Sequence, residues 1–354
     1  MKHRMLCLIM SLSLVAAMIS SCGGASSGSS SGNNSNNSSG SSNAATNEQV
    51  YKITFASDVQ TGTPLVNAME RFKTNVDERS GGRIEVSLAP DGVLGNGREV
   101  TDAVSQGTIE MNFTGDNTAA VAFPELSFIG LPRMYASDSE ADKHYFNGFI
   151  GERLKELFLE RGIRVIGWGE NNFRCLSTNK PVASADDLKG QKIRVIENDI
   201  FLTFFAELGA NPTPMAFTEL TTALQQGTVD GQDNGPILTY STKVYENQKY
   251  YTLTNHAYSG YVIIINDNFM KSLPEDLQII ITEEAESAGK WQIEQNRAET
   301  SKVLEAMAES GVTINESTPE LDAAMDAAAN VVWEKFRDTY DAEVMSYIFE
   351  NLKQ

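Results

Sequence analysis

Residues 188–234 read LKGQKIRVIENDIFLTFFAELGANPTPMAFTELTTALQQGTVDGQDN. Ile193 to Ile196 form a short apolar strand that carries Arg194. Phe201, Phe204, Phe205 and Leu208 follow at helical spacing and give one apolar helix face. A Pro-rich turn comes next (Pro212, Pro214), then a second helix, then a strand that ends on Asn234. Strand, helix, strand in this order is the grammar of an α/β fold.

The same rhythm extends upstream. Tyr51, Ile53 and Phe55 alternate as a strand; Leu65, Met69, Phe72 and Val76 have helical spacing, and Gly81-Gly82 stops that helix. Ile84, Val86 and Leu88 alternate again. A helix runs from Arg98 to Gln106, and Ile109 to Phe113 is the next strand. This βαβαβ unit predicts a parallel sheet covered by helices. Gly92, Gly95 and Gly97 in GVLGNG mark a tight turn; they do not match the dinucleotide fingerprint. Residues 138–161 are predicted helical and 164–168 a strand. Ser184 and Asp187 form a helix cap, and 261–265 is a buried strand. Pro274 to about Ser310 is one Glu/Ala-rich helix with a single internal glycine, Gly289. It is about 50 Å long if unbroken, enough to span two lobes. A last helix from Pro319 buries Val332, Trp333 and Phe336.

The N-terminus has a different character. Lys2, His3 and Arg4 precede an apolar run from Met5 to Ile19, too short for a membrane span and suited to a secretory signal. It ends Ile19-Ser20-Ser21-Cys22, a lipobox-like sequence that predicts cleavage before Cys22 and lipidation of its thiol. Of the next 25 residues (23–47), 21 are Ser, Gly or Asn. Such a segment buries too little apolar surface to fold. It is read as a tether of roughly 25–30 Å root-mean-square span. The expected organisation is a signal peptide at 1–21 and a lipidated, tethered segment at 22–49. One lobe is then built from 50–170 and about 258–298, and a second from 171–257 and about 299–354.

Composition narrows the function. The chain carries a formal charge of -19, and loss of Lys2 and Arg4 makes the mature form more acidic still. That disfavours nucleic acid and anionic surfaces as partners. Beyond the signal only His144, His256 and two cysteines, Cys22 and Cys175, remain. No spacing of these suits a metal, and no nucleophile elbow or phosphate loop occurs. No catalytic residue, metal or cofactor is therefore expected, although carboxylate-only chemistry is not excluded by residue type. An anionic ligand would need a locally cationic cleft within this acidic body. That makes a cleft arginine informative.

Several pieces resemble one family in order and spacing: GRIEVSLAPDGVLG (82–95), LKGQKIRV (188–195), LGANPTPMAFTEL (208–220), ALQQGTVDGQDN (223–234), VYENQKYYTLTNH (244–256) and LPEDLQ (273–278). From Tyr51 onward the chain resembles the DctP-like solute-binding proteins of TRAP (tripartite ATP-independent periplasmic) transporters. The resemblance implies a two-lobed, Venus-flytrap α/β fold. It also implies capture of a small organic acid and delivery to small and large membrane permease subunits, without a cofactor.

It also assigns roles. Arg194 matches the family's ligand-clamping arginine, whose planar fork suits a carboxylate. Arg174 matches a second arginine at the same group; an interlobe salt bridge is the competing role. Asn234 matches an amide that bonds the ligand carboxylate, although Asp233 and Gly235 stand where the family commonly has Glu and Pro. Phe217 matches an aromatic that covers the ligand, with ordinary core packing as the competing role. Glu197 occupies a position that faces the ligand in some relatives. A carboxylate there repels a second acid group and accepts hydroxyls. The expected ligand is then a hydroxylated monoacid, such as a uronate or aldonate, rather than a C4-dicarboxylate. Asp58 and Asp116 are further possible acceptors, read here as surface turns. Cys175 and His256 are read as structural, His256 as a hydrogen-bonded hinge residue. Alternatives at this stage are an ABC-type binding lipoprotein, a secreted hydrolase acting on sugar acids, and an adhesin or sensor domain.

Overall fold

The computed structural model describes residues 49–352. The expected signal peptide, lipidation at Cys22 and Ser/Gly/Asn tether fall outside the described residues.

Nine strands form one mixed sheet: β1 (Tyr51–Ala56), β2 (Ile84–Ala89), β3 (Met111–Gly115), β4 (Ile163–Thr178), β5 (Lys192–Val195), β6 (Asn211–Pro214), β7 (Gly231–Asn234), β8 (Tyr250–Asn266) and β9 (Thr313–Glu316). Their order is β2-β1-β3-β8-β4-β7-β5-β6, with β9 also on β8. β1 pairs in parallel with β2 and β3, as the βαβαβ reading requires. β5 is likewise parallel to β6 and β7. The strands between these two groups are antiparallel: β8 to β3, and β4 to both β8 and β7.

β4 and β8 are therefore the connection between two α/β lobes. At 16 and 17 residues each spans about 50 Å, far longer than the five-residue strands the hydrophobic runs predict. The missed halves are polar: Glu170-Asn171-Asn172 in β4, and Thr252 to His256 in β8. Both strands bend there. Register shifts fall at Glu170/Asn172 and Arg174/Leu176, and Asn172 and Asn255 adopt left-handed φ of 73° and 43°, which Asn tolerates better than most side chains.

The long helix is Glu275–Glu309, 35 residues without interruption. It lies against Pro64–Arg79 at one end and against Pro236–Ser241 and β9 at the other, so it does span both lobes. Gln292 holds it to the middle of β4, donating to the Glu170 carbonyl and accepting from the Glu170 N–H. Gly289 has a packing reason: a Cβ there would sit 2.0 Å from the Trp168 carbonyl oxygen.

Two expectations need correction. The segment 211–214 is a strand rather than a turn. It tolerates Pro212 and Pro214 because β6 is the edge of the sheet, where missing donors cost little. The helix expected over 138–161 is broken into Asp138–Ala141, a π-turn at Asp142–Phe146, and Phe149–Glu160. The break falls at Gly148, whose Cβ would come within 2.2 Å of the Lys143 carbonyl oxygen. A further helix, Ala342–Asn351, follows the predicted Pro319–Phe336.

Candidate functional site

Where β4, β5 and β7 meet the bend, their polar residues converge. Arg174 lies on β4, Arg194 on β5 and Asn234 on β7, opposite Cys175. They line a small cavity of about 30 Å³ together with Asn171 and Phe217. The facing wall comes from the β1–β3 side of the sheet: Asp58, Val59, Gly115 and Thr118, with Ser259 and Tyr261 from β8. A second chamber of about 20 Å³ shares Asp58, Thr118, Arg194 and Phe217 and adds Asn96, Arg98, Glu197 and Met215.

The two arginines are held differently. Arg174 is 2% exposed. Its Nε donates to Asp233 Oδ2 at 2.5 Å, its Nη2 to the Asp233 carbonyl at 2.5 Å, and its Nη1 to Asn234 Oδ1 at 3.2 Å. The pairing is with the adjacent strand β7, so the interlobe salt bridge is not formed. Burial alone would raise the Asp233 carboxyl, but Arg174 and a bond from His256 hold it well below the usual range. His256 bonds Asp233 and Thr254, and burial lowers its pKa. It is the hydrogen-bonded structural residue expected.

Arg194 is 3% exposed. Its Nε and Nη2 donate to the Met215 carbonyl at 3.0 and 2.7 Å. Among the described residues no carboxylate lies within salt-bridge distance of it, although Asp233, Glu197 and Asp58 attract it from further off. Burial, and then the like charge of Arg174, pulls its pKa down to about 10. Its guanidinium carbon lies 5.9 Å from the centre of the Phe217 ring, within cation–π range. Phe217 is half-buried, and its ring lines both chambers.

A chain of amides sets the orientation of Asn234. Its Oδ1 accepts from Arg174 and from Asn171 Nδ2, so its Nδ2 donates, to Gln232 Oε1 at 3.2 Å. A second Nδ2 hydrogen remains, as do the Nη1 hydrogens of Arg194. Both donors belong to residues that line the inner cavity. Gly235, the departure from the family's Pro, also has a local reason. A Cβ there would meet the Asn171 carbonyl at 2.0 Å, so the end of β7 abuts the bend of β4 only through glycine.

Glu197 is exposed and lines only the second chamber; it stands outside the buried cluster. Asp58 and Asp116 are not surface turns: both are buried. Asp58 is missed because its neighbours Ser57 and Gln60 read as loop, while the burial comes from the far segments 97 and 114. Cys175 is buried, and burial pushes its thiol up to about 11, which makes it inert at neutral pH. No group of acidic, His or Cys side chains among the described residues is arranged to hold a metal.

This geometry is a cationic pole in a cleft between two lobes. The model of "Bacterial extracellular solute-binding protein, family 7" matches residues 55–339. The chain belongs to that family. It is thus a solute-binding protein of the TRAP type, an extracytoplasmic binder rather than an enzyme, and the hydrolase and ABC-type readings fall away. Among its relatives is the 2,3-diketo-L-gulonate-binding periplasmic protein YiaO of Escherichia coli (strain K12), 32% identical over 76% of this chain and 82% of that protein. The fold matches the sugar acid binding protein DctPAm from Advenella mimigardefordensis in complex with galactonate. The TM-score is 0.82, with 27% identity over 86% of this chain and 98% of that one. A TRAP solute-binding protein from Sulfurospirillum deleyianum with bound succinate matches at TM-score 0.80 and 27% identity, over 86% and 100% of the two chains.

Proposed function

We propose that this TRAP solute-binding protein captures a hydroxylated monocarboxylate, such as an aldonate or uronate, between its lobes. The observation that carries this is Arg194: a buried guanidinium at a cavity wall, bonded to the Met215 carbonyl and with no carboxylate within salt-bridge distance among the described residues. A buried charge is costly unless paired, and a ligand carboxylate supplies the partner. In this reading Arg194 neutralises the carboxylate, Arg174, its charge matched by Asp233, adds a hydrogen bond from Nη1, Asn234 orients the ligand through Nδ2, and Phe217 covers an apolar face. Glu197, at the second chamber, accepts hydroxyls near the mouth. The relatives with bound galactonate and the diketogulonate-binding relative support a polyhydroxy acid; the succinate complex supports the alternative, a C4-dicarboxylate.

Lobe I is taken as 50–170 with about 258–298, and lobe II as 171–257 with about 299–354, so that the bends of β4 and β8 are the hinge. Closure is then a population shift driven by contacts to both walls. The loaded protein passes its ligand to the TRAP permease subunits. Lipid on Cys22 tethers it to the outer face of the cytoplasmic membrane. Among the described residues no helix is long and apolar enough to cross a membrane.

Titration of Arg194→Ala with galactonate and succinate tests the site. Loss of about 3 kcal/mol or more of binding is expected, since a buried carboxylate loses its partner; unchanged affinity for both would place the clamp elsewhere. For the anchor, Cys22→Ala is expected to release the protein from membranes, and a variant that stays membrane-bound would contradict lipidation.

A further inference from the structure

The two walls of the inner chamber differ in charge. On the Arg194 wall, Arg174 is already matched by Asp233, so one cation remains for an incoming anion. On the facing wall the charged group is an acid, Asp58. Its Oδ1 accepts from Thr114 Oγ1 at 2.9 Å and its Oδ2 from the Gly97 N–H at 3.2 Å. Among the described residues no cation is within salt-bridge distance of it, although Arg194 across the chamber attracts it. A carboxylate offers about four acceptor positions, so two bonds leave Asp58 room for more. It lines both chambers, unlike Glu197, which lines only the second.

A second acceptor points the same way. Arg174 fixes Asn234 Oδ1 as an acceptor, which forces Asn171 to donate its Nδ2 to it. Asn171 Oδ1, buried beside the inner chamber, is left without a hydrogen-bond partner. A buried acceptor without a donor is destabilising. Both groups call for ligand O–H, and neither suits a second ligand carboxylate. Burial raises the Asp58 pKa, which a further anion beside it would raise again.

Resting on the proposed acid-binding role, we propose that Asp58 is the specificity-determining residue. It accepts hydrogen bonds from ligand hydroxyls in the chambers it shares with Arg194, and it disfavours a second ligand carboxylate there by like charge. Arg98, exposed in the second chamber, is the cation on the Asp58 side that could oppose this by receiving a remote carboxylate.

The experiment is calorimetric titration of the whole protein, purified in detergent and freed of co-purified ligand. The probes are galactonate, L-gulonate and erythronate, with succinate and its half-amide succinamate. Wild type is expected to bind its best aldonate at least tenfold more tightly than succinate, and succinamate more tightly than succinate. Asp58→Asn is expected to weaken the best aldonate tenfold or more and to bring succinate closer to it. Asp58→Ser is the second variant if the Asn form melts early, and the wild-type comparison needs no variant. Succinate as the tightest probe, lost in Arg98→Ala, would overturn the inference and leave acid binding intact. Unchanged aldonate affinity in both Asp58 variants would also overturn it. Failure of wild type to bind any acid would instead overturn the reading it rests on.

Discussion

Arg174 and Asp233 form a salt bridge at 2.5 Å in which both side chains are buried. A buried pair is weak evidence for stability as a whole, but breaking one by removing a partner is costly, about 3–5 kcal/mol. Asp233→Asn is therefore expected to lower unfolding free energy by about 3 kcal/mol or more at pH 7. The native carboxyl is held below its unfolded pKa. Its contribution is thus fully present above about pH 4 and declines as pH falls through the folded value. Denaturant unfolding of both proteins from pH 3 to 7 checks this. A difference that stays under about 1 kcal/mol at pH 7 would mean the pair is dispensable.

Arg194 acts through shape as well as charge. Its Nε and Nη2 are spent on the Met215 carbonyl, which leaves the Nη1 hydrogens for a ligand. Lysine keeps the charge but cannot hold that carbonyl and a carboxylate in the same fixed fork. Arg194→Lys should recover only part of the affinity lost in Arg194→Ala. Full recovery, by calorimetry, would reduce the clamp to a point charge.

Gly289 lets the long helix lie on the backbone of β4. Ala is the better helix former by about 1 kcal/mol, so an exposed glycine would gain from the change. Here the added methyl meets the Trp168 carbonyl at 2.0 Å. Gly289→Ala should cost about 2 kcal/mol, in the range for overpacking. An unchanged or raised Tm would show that the helix can shift away.

Asp116 titrates with the opposite sign to Asp233. It is buried and accepts from the Tyr145 hydroxyl, the Gly260 N–H and Asn117. Burial outweighs these donors and raises its pKa from 3.8 to about 6. A raised native pKa adds stability that is complete below about pH 4 and lost as pH climbs through about 6. The shift corresponds to about 3 kcal/mol. The stability of wild type relative to Asp116→Asn should therefore fall across this window. A pH-independent difference would contradict the buried, protonating carboxyl.

The sequence made the outer elements legible because their apolar spacing matches their burial. Ile53 and Phe55, or Phe201 to Leu208, face one core and say so. The middle of the molecule was harder. β4 and β8 continue through Glu170 to Arg174 and Thr252 to His256, whose polar side chains face the site or each other. Periodicity there stops although the strands do not. Arg194 and Asn234 were found through the resemblance of their motifs, and the structure brings both to one cavity. Asn171 and Asp58 were not assigned to it. Their burial depends on long-range partners, Asn234 for one and Gly97 and Thr114 for the other, that no local pattern announces.

The most direct test of acid capture is a thermal-shift screen of the protein unfolded, stripped of ligand and refolded. Its panel is aldonates, uronates, C4-dicarboxylates, keto acids and amino acids. A ligand at about 100 times its Kd adds about 2.7 kcal/mol of stability. Stabilisation by one or more sugar acids, above every dicarboxylate, is the result expected. A folded protein whose Tm responds to none of these acids would contradict the account.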